Sequence, residues 1–164
     1  MSEPNILLAR IDNRLIHGQV GAVWTRHIGA NLVIVADDMV AEDKILQSAM
    51  KMAVNAAGIK AARFFSIQKT IEIIYNASPA QKIFIITRTP KEMRALVEGG
   101  VPIKQVNVGN MHQNLEATKK QVTTYMYCDD QDFTDLDAIV DKVDEVFIQS
   151  IPSVDRITYK KKNN

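Results

Sequence analysis

The chain of 164 residues contains one cysteine, Cys128, so no disulfide can form within it. That scarcity suits a reducing compartment. No apolar run approaches the roughly 20 residues that a bilayer-crossing helix needs. The amino end, Met1-Ser2-Glu3-Pro4, lacks a basic segment leading into an apolar stretch, so no secretory signal is expected. Neither charge sign dominates: 20 Lys and Arg stand against 19 Asp and Glu, for a net charge of +1. No overall field therefore draws the chain to nucleic acid or to anionic lipid. Glycine motifs for nucleotides are missing too: there is neither G-x-G-x-x-G nor G-x-x-x-x-G-K-[ST]. Three scattered histidines without neighbouring cysteines make a poor metal site. Repeats, low-complexity tracts and linkers are absent, so residues 1–164 read as one domain. The basic end from Lys160 is expected to be frayed and solvated.

What is present is an alternation of apolar runs with segments of helical period. Ile6–Ala9, Leu32–Ala36 and Lys82–Thr87 read as buried strands, with Arg63–Ser66 and Gln105–Val108 as weaker ones. Runs that are continuously apolar indicate strands covered on both faces, as in parallel sheets. Between them, helices are expected over Gly18–His27, Ala41–Val54, Ile67–Asn76 and Pro90–Glu98, and later over Phe133–Asp144. The Ala41–Val54 helix is expected to bury Ile45, Leu46, Ala49, Met50 and Ala53. Thr89 and Pro90 suit a helix start, and Gly99-Gly100 suits its end. Short strands are expected at Tyr125–Cys128, Val146–Ile151 and Val154–Tyr159. The pattern predicts an α/β fold: a single domain with a mostly parallel, doubly wound sheet flanked by helices. Ligands of such folds bind beyond the carboxyl ends of the strands. That rule gathers His17, Asp37, Asp38, Ser66, Arg88 and Asn110 along one rim.

The most informative stretch is Ile11-Asp12-Asn13-Arg14-Leu15-Ile16-His17-Gly18-Gln19-Val20, between the first strand and the first helix. His17 falls where unpaired helix N–H groups and the positive end of the helix dipole face outward, with Arg10 and Arg14 nearby. Such a place suits a dianion. A neutral imidazole there is able to accept a phosphoryl group and pass it on. Gly18 allows a bulky group to approach closely.

This run resembles the active-site loop of the IIB components of the mannose/fructose/sorbose family of bacterial phosphoenolpyruvate:sugar phosphotransferase systems. Val35–Asp43, Lys51-Met52-Ala53 and Asn107–Met111 fit the same family, so the resemblance spans essentially the whole chain. It implies that His17 receives a phosphoryl group on Nδ1 from a phosphohistidine of the IIA component. His17 then donates it to a sugar held by the IIC and IID membrane components. It implies a cytoplasmic protein docking on a membrane complex, with no metal or organic cofactor. Arg14 is expected to steady the phosphoryl charge or the incoming IIA, with Asn13, Gly18 and Gln19 beside it and Arg10 a weaker candidate. A carboxylate would repel the phosphoryl group, so Asp12 is expected to brace the loop or to bond Arg14 or the imidazole.

Bland readings remain for the other candidates. His27, about three turns along the helix, suits a structural role, and His112 is a lesser rim candidate. Asp37-Asp38 suits a solvated turn or a contact with IIA better than a magnesium site. Cys128, on a short strand, suits an inert buried thiol, although other IIB classes use phosphocysteine. The rival class is a non-enzymatic anion-binding or regulatory α/β module; a phosphohistidine enzyme acting on a free metabolite is a third option. Both need a closed pocket around His17, whereas a relay protein needs it on an open face. The sugar and the oligomeric state are not legible in the residues; amino sugars are the guess for the former.

Overall fold

A computed structural model describes residues 2–112 and 118–162, and within them all side chains but those of residues 19 and 20. Seven strands form one sheet: β1 (Asn5–Asp12), β2 (Leu32–Ala36), β3 (Ala62–Phe65), β4 (Lys82–Thr87), β5 (Gln105–Asn110), β8 (Glu145–Ile148) and β9 (Ile157–Thr158). Their order is β3-β2-β4-β1-β5-β8-β9. All neighbours run parallel except β9, which turns back antiparallel on β8. A separate hairpin joins β6 (Lys120–Thr123) to β7 (Met126–Cys128).

Side chains alternate across the strands and feed two cores. Val33 and Val35 of β2, with Phe84 and Ile86 of β4, face one core. Trp24 of α1 (Gly18–Ile28) and Met50 and Val54 of α3 (Lys44–Ala56) cover it. Leu32, Ile34, Ile83 and Ile85 face the other. There they meet Ile67 and Ile71 of α4 (Ile67–Ile73), Met93 and Leu96 of α5 (Pro90–Glu98), and Phe133, Leu136 and Ile139 of α6 (Asp130–Val140). Burial on both faces is why these strands read as unbroken apolar runs. The single α/β domain with its parallel, helix-flanked sheet is the one expected.

Several expectations need correction. The segment expected as one helix over Ala41–Val54 is two, because α2 (Asp38–Glu42) stops at Asp43 and α3 restarts there. Asp43 is extended (φ −109°, ψ 95°), and its carboxylate accepts the Leu46 N–H as the N-cap of α3. The new start turns the helix, so Gln47, Met50 and Val54 are buried while Ile45 is 85% exposed. The last helix begins earlier than Phe133 because Asp129 and Asp132 form a capping box. It ends at Val140. The terminal lysines are exposed but tethered: the Lys162 N–H donates to Asp137, and Lys161 pairs with Asp141 at 2.8 Å.

Candidate phosphoryl-transfer site

Asp12 closes β1 with its side chain 1% exposed. Its Oδ2 accepts from Arg10 Nη2 at 3.1 Å, and its Oδ1 accepts from the Arg14 backbone N–H at 3.0 Å and Arg14 Nε at 3.4 Å. Two further bonds shape the turn: Leu15 N donates to Asp12 O at 2.9 Å, and Asn13 N donates to Asn110 O at 3.1 Å. Asn110 also donates through Nδ2 to Asn13 Oδ1 at 2.6 Å. Leu15 sits in the left-handed region at φ 56°, a conformation that costs a non-glycine residue about 1–3 kcal/mol. Burial of Leu15 and Ile16 in the core beneath α1 holds it there. The loop is thus anchored by two apolar side chains and one carboxylate.

His17 follows as the N-cap of α1, extended at φ −146° and ψ 141°, with no side-chain capping bond. The residue is half-buried. Its Nε2 is sealed and has no partner among the described residues, while Nδ1 lies 3.4 Å from Leu15 O. Asp12, expected to brace the loop or to bond Arg14 or the imidazole, does the first two; the Leu15 carbonyl is the group beside the ring. Gly18 adopts φ +48°, and a Cβ there would meet nothing within 4 Å. Its backbone conformation, rather than space, favours glycine at the first residue of α1. Gln19 is the second residue of α1. Arg14 keeps a 40% exposed side chain and so remains available at the surface.

Arg10, expected as a weaker phosphoryl or partner contact, is enclosed at 2% exposure. Its Nη1 donates to Asn107 Oδ1 at 2.6 Å and to Gln149 O at 3.3 Å, and its guanidinium lies 5.2 Å from the centre of the Trp24 ring. Burial pulls the guanidinium below its ordinary value, and the Asp12 charge opposes that. A Cβ on Gly109 would come within 2.0 Å of Arg10 Cζ, so this position must be glycine for the guanidinium to fit. Arg10 therefore acts on the loop through Asp12. The Asn107-Val108-Gly109 sequence carried a signal for this: a polar residue and a glycine inside an apolar strand mark close approach of another group.

The rim grouping resolves into parts. Asp37 caps α2 through Oδ1 and pairs through Oδ2 with Arg88 Nε at 2.9 Å. Asp38 accepts the Ile67 N–H, and Ser66 caps α4. These groups share the carboxyl edge of the sheet with the His17 loop, but they are committed to helix starts. Ser66 follows β3, three strands from β1, roughly 14 Å at the usual strand spacing. Asn110 alone of the group bonds the loop after β1. His27 is exposed in the last turn of α1, its ring edge-on to Trp24 at 5.9 Å. Cys128 is buried, and burial, with the Asp132 charge adding, pushes its thiol up to about 12, which keeps it an inert thiol at neutral pH.

A histidine at the start of α1, an exposed arginine three residues before it and a braced loop thus stand together at the carboxyl edge of the sheet. Residues 6–162 match the model of the phosphotransferase system (PTS) sorbose subfamily IIB component. The chain belongs to this IIB family. IIB components are phosphotransferases that take a phosphoryl group from IIA and pass it to sugar with the membrane components IIC and IID. This IIB chain is 55% identical over 152 residues to the N-acetylgalactosamine-specific phosphotransferase enzyme IIB component 1 of Escherichia coli (strain K12), covering 93% of this chain and 94% of that one. It is 36% identical over 126 residues to the mannose-specific EIIAB component of the same strain, covering 76% of this chain and 38% of that longer protein. The crystal structure of the PTS system N-acetylgalactosamine-specific IIB component 1 from Escherichia coli superposes with a TM-score of 0.90 at 52% identity, covering 95% of this chain and all of that one. Among the described residues of this IIB chain, no helix is long and apolar enough to cross a membrane.

Proposed function

We propose that His17 is the phosphate carrier and that the sugar served is N-acetylgalactosamine. The observation that carries the first part is the state of the imidazole: at the start of α1, half-buried, with Nε2 sealed, so that Nδ1 is the nitrogen left for an incoming donor. The Nδ1 lone pair attacks the phosphorus of phospho-IIA. The donor's N–P bond breaks, and its electron pair returns to the donor ring. A lone pair on Nδ1 requires the ring proton on Nε2. The ring therefore turns away from Leu15 O as IIA docks. In the second half, the sugar hydroxyl attacks phosphorus and gives its proton to water, the Nδ1–P bond breaks, and its electron pair returns to Nδ1.

Such transfer needs positioning and charge stabilisation more than covalent assistance. Arg14 supplies the mobile cation, held near the loop by Asp12. Asn13 and Gly18 shape the docking surface, and Gln19 lies beside them in the chain. The donor is IIA, and the acceptor is sugar presented by IIC and IID, so this chain works in the cytoplasm at the membrane face. The likeness to an N-acetylgalactosamine-specific relative over nearly the full length supports the sugar.

The test is phosphorylation by purified IIA and phosphoenolpyruvate. Wild type and Cys128→Ser are expected to gain one acid-labile, base-stable phosphate, and His17→Ala none. Labelling of a folded His17→Ala would remove His17 from the relay. Sugar phosphorylation by membranes holding the IIC and IID components, run with N-acetylgalactosamine against mannose and sorbose, tests the sugar.

A further inference from the structure

Beside the His17 loop lies a crevice that the relay chemistry does not use. Helix α1 leaves β1 toward one face of the sheet, and α5 leaves the neighbouring β4 toward the other. Their connections diverge, which is the topological switch point where α/β sheets take ligands. The crevice there has a volume of about 380 Å³, within the range of small-molecule sites. Asn13, Arg88, Met111, His112, Lys119 and Asp132 are among its lining residues.

We propose that this crevice binds the phosphorylated sugar that the reaction produces. The proposal rests on the reading of the chain as a sugar-phosphorylating relay. Arg88 uses only Nε to hold the buried Asp37 carboxylate. Its two terminal nitrogens have no partner among the described residues, so a fixed guanidinium presents the fork that grips a phosphoryl group. On the α6 side, Asp132 Oδ2 takes Lys119 Nζ at 2.9 Å and the Asp129 N–H at 3.0 Å. Asp132 Oδ1 has no partner among the described residues and is an acceptor for a sugar hydroxyl. His112 is exposed and carries no bond to another described residue, so either ring nitrogen is open to a hydroxyl. Met111 and Pro90 add apolar lining for the C–H face of a sugar ring. One guanidinium with both terminal nitrogens open, set among several hydroxyl-binding groups, fits a sugar phosphate better than a bare anion or a neutral sugar. Because Asn13 belongs both to this lining and to the His17 loop, occupancy would report to the site of transfer.

The test is a backbone-amide chemical-shift titration of the unphosphorylated full chain. Three probes are used: N-acetylgalactosamine, the same sugar phosphorylated on its primary hydroxyl, and inorganic phosphate. The phosphorylated sugar is expected to shift Arg88, Met111 and His112 and to bind about tenfold tighter than either fragment. His112→Ala and Arg88→Gln are expected to weaken it, the latter by about ten- to a hundredfold. His17→Ala is expected to bind normally while failing to accept phosphate from IIA, which separates this site from the carrier. Equal binding of inorganic phosphate, shifts confined to other surfaces, or crevice amides that respond to IIA but not to sugar phosphate would each overturn the proposal.

Discussion

Two arginines four positions apart have opposite fates. Arg10 is sealed and paired, whereas Arg14 reaches solvent from the same carboxylate. Removing one partner of a buried ion pair leaves the other charged and unsatisfied, which costs about 3–5 kcal/mol. Asp12→Asn is therefore expected to lower unfolding free energy by about that much in urea titrations, along with slowed phosphorylation. Arg14→Ala is expected to leave stability within about 0.5 kcal/mol, as for a surface change. Its cost should instead appear as transfer from phospho-IIA about ten- to a hundredfold slower in single-turnover assays, the worth of one charge-assisted contact made in the transition state. Transfer at the wild-type rate would place Arg14 outside the site. Gly109→Ala inserts a methyl group into the Arg10 guanidinium and is expected to destabilise by at least about 1–3 kcal/mol.

Helix starts decide what lies along the carboxyl rim. Asp37, Asp43, Ser66 and Asp129 each place a side-chain oxygen on an N–H of the helix that follows. A cap of this kind is worth about 0.5–2 kcal/mol. Asp43→Ala is expected to lower the thermal midpoint by the equivalent of that amount and to raise amide exchange at Leu46. Unchanged exchange there would deny Asp43 its role as the divider between α2 and α3. Asp129 is held below its ordinary carboxylate value, first by the backbone hydrogen bond from Asp132. A depressed folded value means that its stabilisation is present above the unfolded value and is lost as pH falls through the folded one. The α6 start should accordingly loosen at acid pH, and Asp129→Asn should reduce that acid sensitivity in far-ultraviolet melts.

At the scale of the molecule, the second core carries two buried acids with raised values. Burial lifts the Cys128 thiol to about 12, and burial with the Asp137 hydrogen bond lifts Tyr159. Both are neutral when folded, so the folded chain binds more protons than the unfolded one once pH passes the ordinary thiol range near 9. Stability should then fall steadily from about pH 9 to about pH 12. Cys128→Ala should flatten that alkaline slope, with Tyr159 providing the remainder, as followed by urea midpoints across that range. Native Cys128 should also resist alkylation at neutral pH until the domain unfolds. Rapid native modification would contradict its enclosure.

Periodicity and composition were enough to determine the class of fold and the sheet's two-sided burial, while the residues of the first loop and their resemblance to the IIB family singled out that loop as the candidate site. Those features are local: β2 is apolar throughout, β4 is apolar at every buried position but Thr87, and His17 stands between a strand and a helix by sequence alone. The helix expected over Ala41–Val54 is two because helical period runs on through Asp43, where only the backbone turn shows that its carboxylate starts a second helix. Tertiary structure also decided which charges are free. Arg10 and Arg14 stand four positions apart in the chain, yet Asn107, Gly109 and Gln149, about a hundred or more residues away, close over the first. Likewise Asp37 meets Arg88, and Asn13 shares a crevice with His112 and Lys119, only because β4 inserts between β1 and β2 while β5 joins the other side of β1. Strand order is set by how two separate cores pack on one sheet, and that balance of buried surfaces is a property of the whole chain rather than of any window along it.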